Sequence, residues 1–230
     1  MPLDERIIEA IAERYIHDGM VLAVGTGPQN LVFLKQIALK AHEKGYQLSI
    51  VPTSVKIAEV AASLKMKIAS INTADIDLSI EFADIIDKNF NFISRLTTSL
   101  VRDKMVGQSA AEMLVIAKES TYVKRLYGII PYEVDVFGAV HSLVRLDQFG
   151  KAKFRLNKNG EKYLTETGNY IIDVDIDKVY DLEDLEYETK EVPGVIESGL
   201  FIDYADRVLL YNEKIHLMSR IGPELQAKEE

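Results

Sequence analysis

The stretch that most limits the fold is Met20-Val21-Leu22-Ala23-Val24-Gly25-Thr26-Gly27-Pro28-Gln29-Asn30. Its apolar run has no polar face, so it suits a strand covered on both sides, as in a parallel sheet. Two glycines follow, and residues 31–42 carry a helical pattern. Pro28 fits a first helical position, where a missing N–H costs nothing. Strand, glycine turn and helix frame an anion site: the glycines admit a ligand to the backbone, and the helix end offers free N–H groups and partial positive charge. The same pattern serves as a tight turn with no ligand, and the motif alone does not choose. A dinucleotide site fits less well. Asn30 stands where G-x-G-x-x-G has its third glycine, and the next strand ends at Val51-Pro52 without an acid.

The unit repeats. Ile8, Ile11, Ala12 and Tyr15 recur at helical spacing over residues 4–18, with Asp4 as an N-terminal acid. Strands are expected at 47–51, 67–71, 76–80 and 113–117, and helices at 55–64 and 99–109. Thr53 and Ser54 are placed to cap the helix at 55, and capping is their expected role over offering hydroxyls to a ligand. Strands alternating with helices imply an α/β fold with an open, doubly wound, mostly parallel sheet, whose ligands bind at the carboxyl ends of the strands. Residues 25–30, 53–54 and 81–84 all fall at such ends.

After Lys124 the pattern changes. Pro131, glycines at 150, 160 and 168, and alternation in Tyr170-Ile171-Ile172-Asp173-Val174 suggest antiparallel strands and turns. Residues 182–186 read as a short acidic helix or turn, and Val208 to Tyr211 as the last strand. This divides the chain into a Rossmann-like domain, 1–124 plus 198–230, and a second, smaller α+β domain, 125–197. Tyr132, Phe137 and Tyr170 give the small domain more aromatic surface than so thin a layer can bury. A homodimer or homotetramer assembled through it is therefore expected.

Composition removes several function classes. A net charge of −9 argues against a nucleic-acid footprint. The absence of cysteine excludes disulfides, thiolate catalysis and thiolate metal sites, and fits a cytoplasmic location. No apolar run reaches the roughly 18–20 residues needed to span a bilayer, and Met1 to Arg6 is no signal peptide. His17, His42, His141 and His216 have no metal-ligand spacing, so neither a metal nor a cofactor is expected.

Three acids mark the centre of the chain: Glu81 and Asp84 after a strand, and Asp103 inside a helical run, with a loop between that can close over a ligand. The segment Glu81-Phe82-Ala83-Asp84, Ser94-Arg95-Leu96-Thr97-Thr98 and Arg102-Asp103-Lys104 resembles the catalytic segment of the ribose-5-phosphate isomerase A family. So do Val24-Gly25-Thr26-Gly27, Pro131-Tyr132-Glu133-Val134, Thr167-Gly168-Asn169, Ile172-Asp173 and Val192-Pro193-Gly194-Val195-Ile196-Glu197-Ser198-Gly199-Leu200-Phe201. The resemblance implies metal-free interconversion of ribose 5-phosphate and ribulose 5-phosphate. Asp103 would be the proton-transferring base, and Glu81 and Asp84 would orient sugar hydroxyls. Thr26, Gly27, Pro28, Gln29, Phe82, Ala83, Ser94, Arg95, Leu96, Thr97 and Thr121 would complete the sugar-phosphate pocket.

The departures bear on that chemistry. The family has D-G-A-D, K-G-G-G-G and R-E-K where this chain has its three blocks, G-T-G-S-T where it has Gly25 to Gln29, and a lysine where it has Thr121. Ser94 removes a fixed cation, a loss on the order of 3 kcal/mol in barrier. Arg95 stands next to it as a candidate substitute. Phe82 introduces a ring, and Asp103 and Glu81 exchange carboxylate lengths. The sequence therefore supports either an impaired or re-purposed isomerase, or a non-catalytic sugar-phosphate binder acting as a sensor or partner subunit.

Overall fold

The computed structural model describes residues 3–176 and 180–221. Residues 1–2, 177–179 and 222–230, which the sequence-based boundaries include, lie outside the described residues. Helix α1, Glu5–Arg14, starts where the Asp4 carboxylate accepts the Arg6 N–H, and buries Ile7, Ile8, Ile11 and Ala12. Strand β1, Val21–Val24, leads through the glycine turn into α2, Pro28–Glu43. Then come β2, Ser49–Val51, α3, Val55–Ser63, and β3, Lys67–Ile68. Ser54 caps α3 through the Ile57 N–H at 3.1 Å. Strand β4, Ile76–Phe82, runs two residues beyond its predicted end. It is followed by two short strands the apolar pattern had not separated, β5, Ile85–Asp87, and β6, Phe92–Ile93.

Helix α4, Leu100–Ser109, begins at the Ser99 N-cap and runs directly into β7, Ala110–Lys118. Strands β8, Tyr122–Val123, and β9, Gly128–Val134, precede α5, Ala139–Leu146, a helix the antiparallel reading had left out. It buries only Ala139, Ser142 and Leu146. After β10, Lys151–Phe154, and β11, Tyr170–Ile176, the acidic segment forms a full helix, α6, Leu182–Lys190, capped by Asp181. The described residues end with β12, Val195–Ser198, β13, Leu200–Phe201, β14, Arg207–Tyr211, and β15, Ile215–Ser219. Strand β14 is therefore not the last. A turn closed by the Asn212 N–H on Lys214 O sends β15 back antiparallel along the edge.

The main sheet has the order β15-β14-β7-β4-β1-β2-β3 and is parallel except at β15. Its central strands are buried on both sides, as expected for strands flanked by helices: β1 and β4 expose almost nothing. A second sheet, β10-β11-β9-β12, is antiparallel and has its own core around Tyr132, Ile172 and Leu185. A third, β13-β6-β5-β8, joins the two, with Phe92 stacked on Phe201 at 4.5 Å. The mixed α/β class with a mostly parallel central sheet and a smaller second layer is as the pattern implied. No helix of the described residues is long and apolar enough to cross a membrane.

Candidate active site

Strands β1 and β4 pair side by side, Val24 beside Ile80, so the turn after β1 meets the end of β4. Gly25 sits at that junction. A Cβ there would lie 1.8 Å from Glu81 Oε2 and 2.4 Å from Asn30 Nδ2, so only glycine lets the turn approach the carboxylate. Glu81, at the end of β4, accepts the Asn30 side-chain amide and the Phe82 N–H on Oε1, each at 2.8 Å.

Helix α4 brings Asp103 to the other side of the turn. Its Oδ1 accepts the Thr26 N–H at 3.0 Å, and its Oδ2 accepts the Thr26 hydroxyl at 2.9 Å. The Thr97 hydroxyl donates to the same Oδ2 and lies 2.6 Å from the Thr26 hydroxyl. The loop 94–98 is thereby latched onto the turn after β1, with the Thr98 N–H also on Thr26 Oγ1 at 2.8 Å. Glu81 and Asp103 are 2% and 1% exposed, so both acids are withdrawn from water, Asp103 against the loop itself.

Burial without a cation sets their proton affinity. Desolvation lifts Glu81 to about 7, against the Asn30 and Phe82 hydrogen bonds. Desolvation and the charge of Glu81 raise Asp103 well above the ordinary carboxylate value, against its threonine partners. Two buried acids of raised proton affinity thus stand on either side of the turn, with the charge of Glu81 favouring a proton on Asp103, and such a set can supply one acid and one base. Asp84 is also raised by burial, opposed by the Arg95 N–H at 2.6 Å and by the charges of Arg95 and Arg155.

The remaining expected residues divide. Thr26, Gly27, Ala83, Ser94, Leu96 and Thr97 lie on the turn, the end of β4 or the covering loop. Gly27 accepts the Asn30 N–H as the N-cap of α2, Pro28 takes the first helical position, and Gln29 is exposed on the first turn. The Ala83 N–H continues the pairing of β4 with β7 at Ile116 O. Ser94 is buried with its N–H on Gly199 O, whereas Leu96 is 62% exposed at the loop's tip.

Three expectations change. The Phe82 ring does not enter the site: it is buried in the main core, edge-on to Phe33 at 6.2 Å, because alternation along β4 turns it away from Glu81. Arg95 does not aim its guanidinium at the acids. It donates to Ile129 O at 3.1 Å and Tyr127 O at 3.2 Å, across the turn at Gly128. Thr121 follows β7, two strands from β1, and its hydroxyl donates to Lys118 O at 2.9 Å.

Two contributors went unnoticed in the sequence. Asn30 registered only as a missing glycine, although a buried amide in a first helical turn is itself a signal. Arg155, between β10 and the next turn, pairs with Asp173 through both oxygens at 3.1 and 2.5 Å and reaches Thr97 O at 3.4 Å. Only the tertiary fold brings it to the loop. Among the described residues no group of three or more His, Asp and Glu is arranged to hold a metal. A cleft of about 1310 Å³ opens elsewhere, bordered by Asp87, Lys124, Arg125, Tyr180 and Arg220, and shares no residue with the acid cluster.

A family model described as ribose 5-phosphate isomerase A (phosphoriboisomerase A) matches residues 49–214. Ribose-5-phosphate isomerase A of Streptococcus suis is 33% identical over 202 residues, 86% of this chain and 90% of that protein. A bifunctional ribokinase/ribose-5-phosphate isomerase A of Fructilactobacillus sanfranciscensis is 31% identical over 92% of this chain, which spans 40% of that longer protein. A D-ribose-5-phosphate isomerase solved in complex with phospho-erythronic acid superposes with a TM-score of 0.85 at 30% identity, covering 94% of this chain and 99% of the other. Ribose 5-phosphate isomerase A of Methanocaldococcus jannaschii gives a TM-score of 0.83 at 26% identity over 93% and 96%. With strand order, acid cluster and glycine turn all in place, this chain belongs to the ribose-5-phosphate isomerase A family.

Proposed function

We propose that the chain catalyses the aldose–ketose interconversion of ribose 5-phosphate and ribulose 5-phosphate, a step of the pentose phosphate pathway, at a rate well below that of members carrying the usual site. The carrying observation is the Glu81–Asp103 pair, two buried acids of raised proton affinity flanking a glycine turn at the carboxyl ends of β1 and β4. In the open-chain aldose, ionised Asp103 takes the C2 proton. Protonated Glu81 delivers a proton to O1 as the C1–C2 enediol forms. Asp103 returns its proton to C1 while O2 gives its proton to the now ionised Glu81, so the ketose results, both acids regain their starting states, and there is no net gain or loss of electrons. Asp84 orients a hydroxyl, and the start of α2 receives the phosphate. A relative's complex with phospho-erythronic acid, a phosphorylated sugar acid, supports a ligand of this class.

The low rate follows from three features. Ser94 carries no charge, Arg95 is engaged with the carbonyls of Tyr127 and Ile129, and Pro28 removes an amide from the anion end. Thr97 also fills Asp103 with a protein hydroxyl where a substrate would have to approach. That last contact favours a second reading, a sugar-phosphate binder without turnover. An isomerase assay with ribose 5-phosphate beside an active family member separates the two. We expect turnover at least a hundredfold below the control, rising when Thr97→Gly frees Asp103. Turnover equal to the control would overturn the account of the site, and none in either protein would favour the binder.

A further inference from the structure

Glu133 lies on β9, in the second sheet, and is fully buried, although the reaction proposed above does not use it. Five donors converge on its carboxylate. Oε2 accepts the Leu100 N–H at 2.9 Å and the Val101 N–H at 3.3 Å, the first two amides of α4. Oε1 accepts the Thr165 hydroxyl at 2.7 Å, the Asn169 side-chain amide at 3.0 Å and the Thr167 hydroxyl. A carboxylate supplied from another sheet thus complements the unsatisfied N–H groups and positive end of the helix that carries Asp103.

The contacts continue into the covering loop. The turn 165–169 that Glu133 gathers also donates the Glu166 N–H to Thr98 O at 3.1 Å, and Glu166 O accepts from Arg102 at 3.2 Å. One buried anion therefore ties three parts together: the start of α4, the turn between β10 and β11, and through it the loop 94–98. Asp103 stands one turn into α4, and its N–H already bonds Ser99 O at 3.2 Å. Any shift of the first turn moves the Asp103 carboxylate relative to Thr26.

We propose that Glu133 is a positioning residue for the active site, holding α4 and the loop 94–98 so that Asp103 keeps its place against Thr26. This rests on Asp103 being the base, but it also makes a claim about geometry that needs no turnover. Misplacing a reacting group by about 1 Å is enough to cost a hundredfold in rate. A role in packing alone would loosen only what Glu133 touches.

The test is amide hydrogen exchange of the whole chain for wild type, Glu133→Gln and the milder Thr167→Val, which keeps the carboxylate if the first variant does not fold. The readout is the Thr26 amide, which is bonded to Asp103 and makes no contact with Glu133. Its protection should fall at least tenfold in Glu133→Gln and by a smaller factor in Thr167→Val, with Leu22 in β1 unchanged. With ribose 5-phosphate, kcat should fall at least tenfold in Glu133→Gln with KM nearly unchanged, since Glu133 touches no part of the turn 25–29. Loss of protection confined to Leu100, Val101 and the turn 165–169 would overturn the proposal. Absence of turnover in the wild type would instead refute the isomerase reading, leaving the Thr26 amide to decide this one.

Discussion

At the scale of single residues, the site is a problem of desolvated charge. Glu81 has an ordinary value of 4.5 and is lifted to about 7 in the fold by burial. Between those values the folded chain holds a proton that the unfolded chain has released. Stability from this group is therefore complete below about pH 4.5 and is lost as pH rises through 7, a change on the order of 3 kcal/mol. Glu81→Gln removes the titration and also relieves Asp103 of its repulsion, so the variant should be flatter with pH. Urea unfolding of both proteins at pH 4.5, 6 and 8 should show the wild type losing ground to the variant at each step. A constant gap would mean that Glu81 is not held protonated in the fold. Residue identity made the three acids legible in the sequence, but not their partners. Asn30, Thr97 and Arg155 act through contacts spanning 51, 6 and 18 positions, set by the packing of whole elements. The inward turn of Phe82 was in principle readable from β4, because neighbouring residues of a strand face opposite ways.

At the scale of elements, α4 is held at two points by buried charge. Glu133 takes its first amides, and Lys104, 6% exposed at its side chain, reaches Glu186 on α6 at 2.9 Å and Glu197 on β12 at 2.8 Å. Lys104 also lies over the rings of Phe201 and Tyr204, at 5.4 and 5.7 Å. Removing one partner of such a group leaves the others buried and uncompensated. Lys104→Ala should lower stability by about 2–3 kcal/mol, less than for a wholly buried pair because both glutamates keep some solvent contact and Lys190 also pairs with Glu197 at 3.0 Å. The midpoint of urea unfolding measures it, and a loss under about 0.5 kcal/mol would show the cluster to be no more than a surface network. The central strands of the main sheet were legible because β1, β7 and β14 hold continuously apolar runs and β4 alternates, whereas the edge strand β15 was not. The third sheet was not: β6, β8 and β13 have two residues each, too short for any periodicity. Helix α5 escaped for another reason. Its apolar residues, Ala139, Val140, Leu143, Val144 and Leu146, do recur at helical spacing, but the turn and alternation signals around it drew the reading to strands.

At the scale of the whole molecule, those exposed valines become an argument about assembly. The second sheet buries Tyr132 completely and Tyr170 in part, so the aromatic surplus inferred from the sequence is mostly absorbed within the chain. Phe137 is not absorbed. It is 99% exposed, just before the Gly138 N-cap of α5, with exposed Val136 next to it in the chain, and Val140 and Val144 extend the apolar surface along the helix. Val140 and Val144 stand one turn apart on α5, so they form an apolar stripe along one face of the helix. We expect this stripe to pair with its own copy about a two-fold axis. Each large apolar side chain withdrawn from water contributes roughly 1.5–3 kcal/mol, twice over by symmetry, before the cost of association. The expected outcome is a homodimer, or a dimer of dimers, at micromolar concentration. Val140→Lys places a charge on the stripe and should give the 25.9 kDa monomer by sedimentation, with its fold retained because Val140 is already 60% exposed. A wild-type chain that sediments only at 25.9 kDa, or an assembly untouched by Val140→Lys, would take α5 out of the interface.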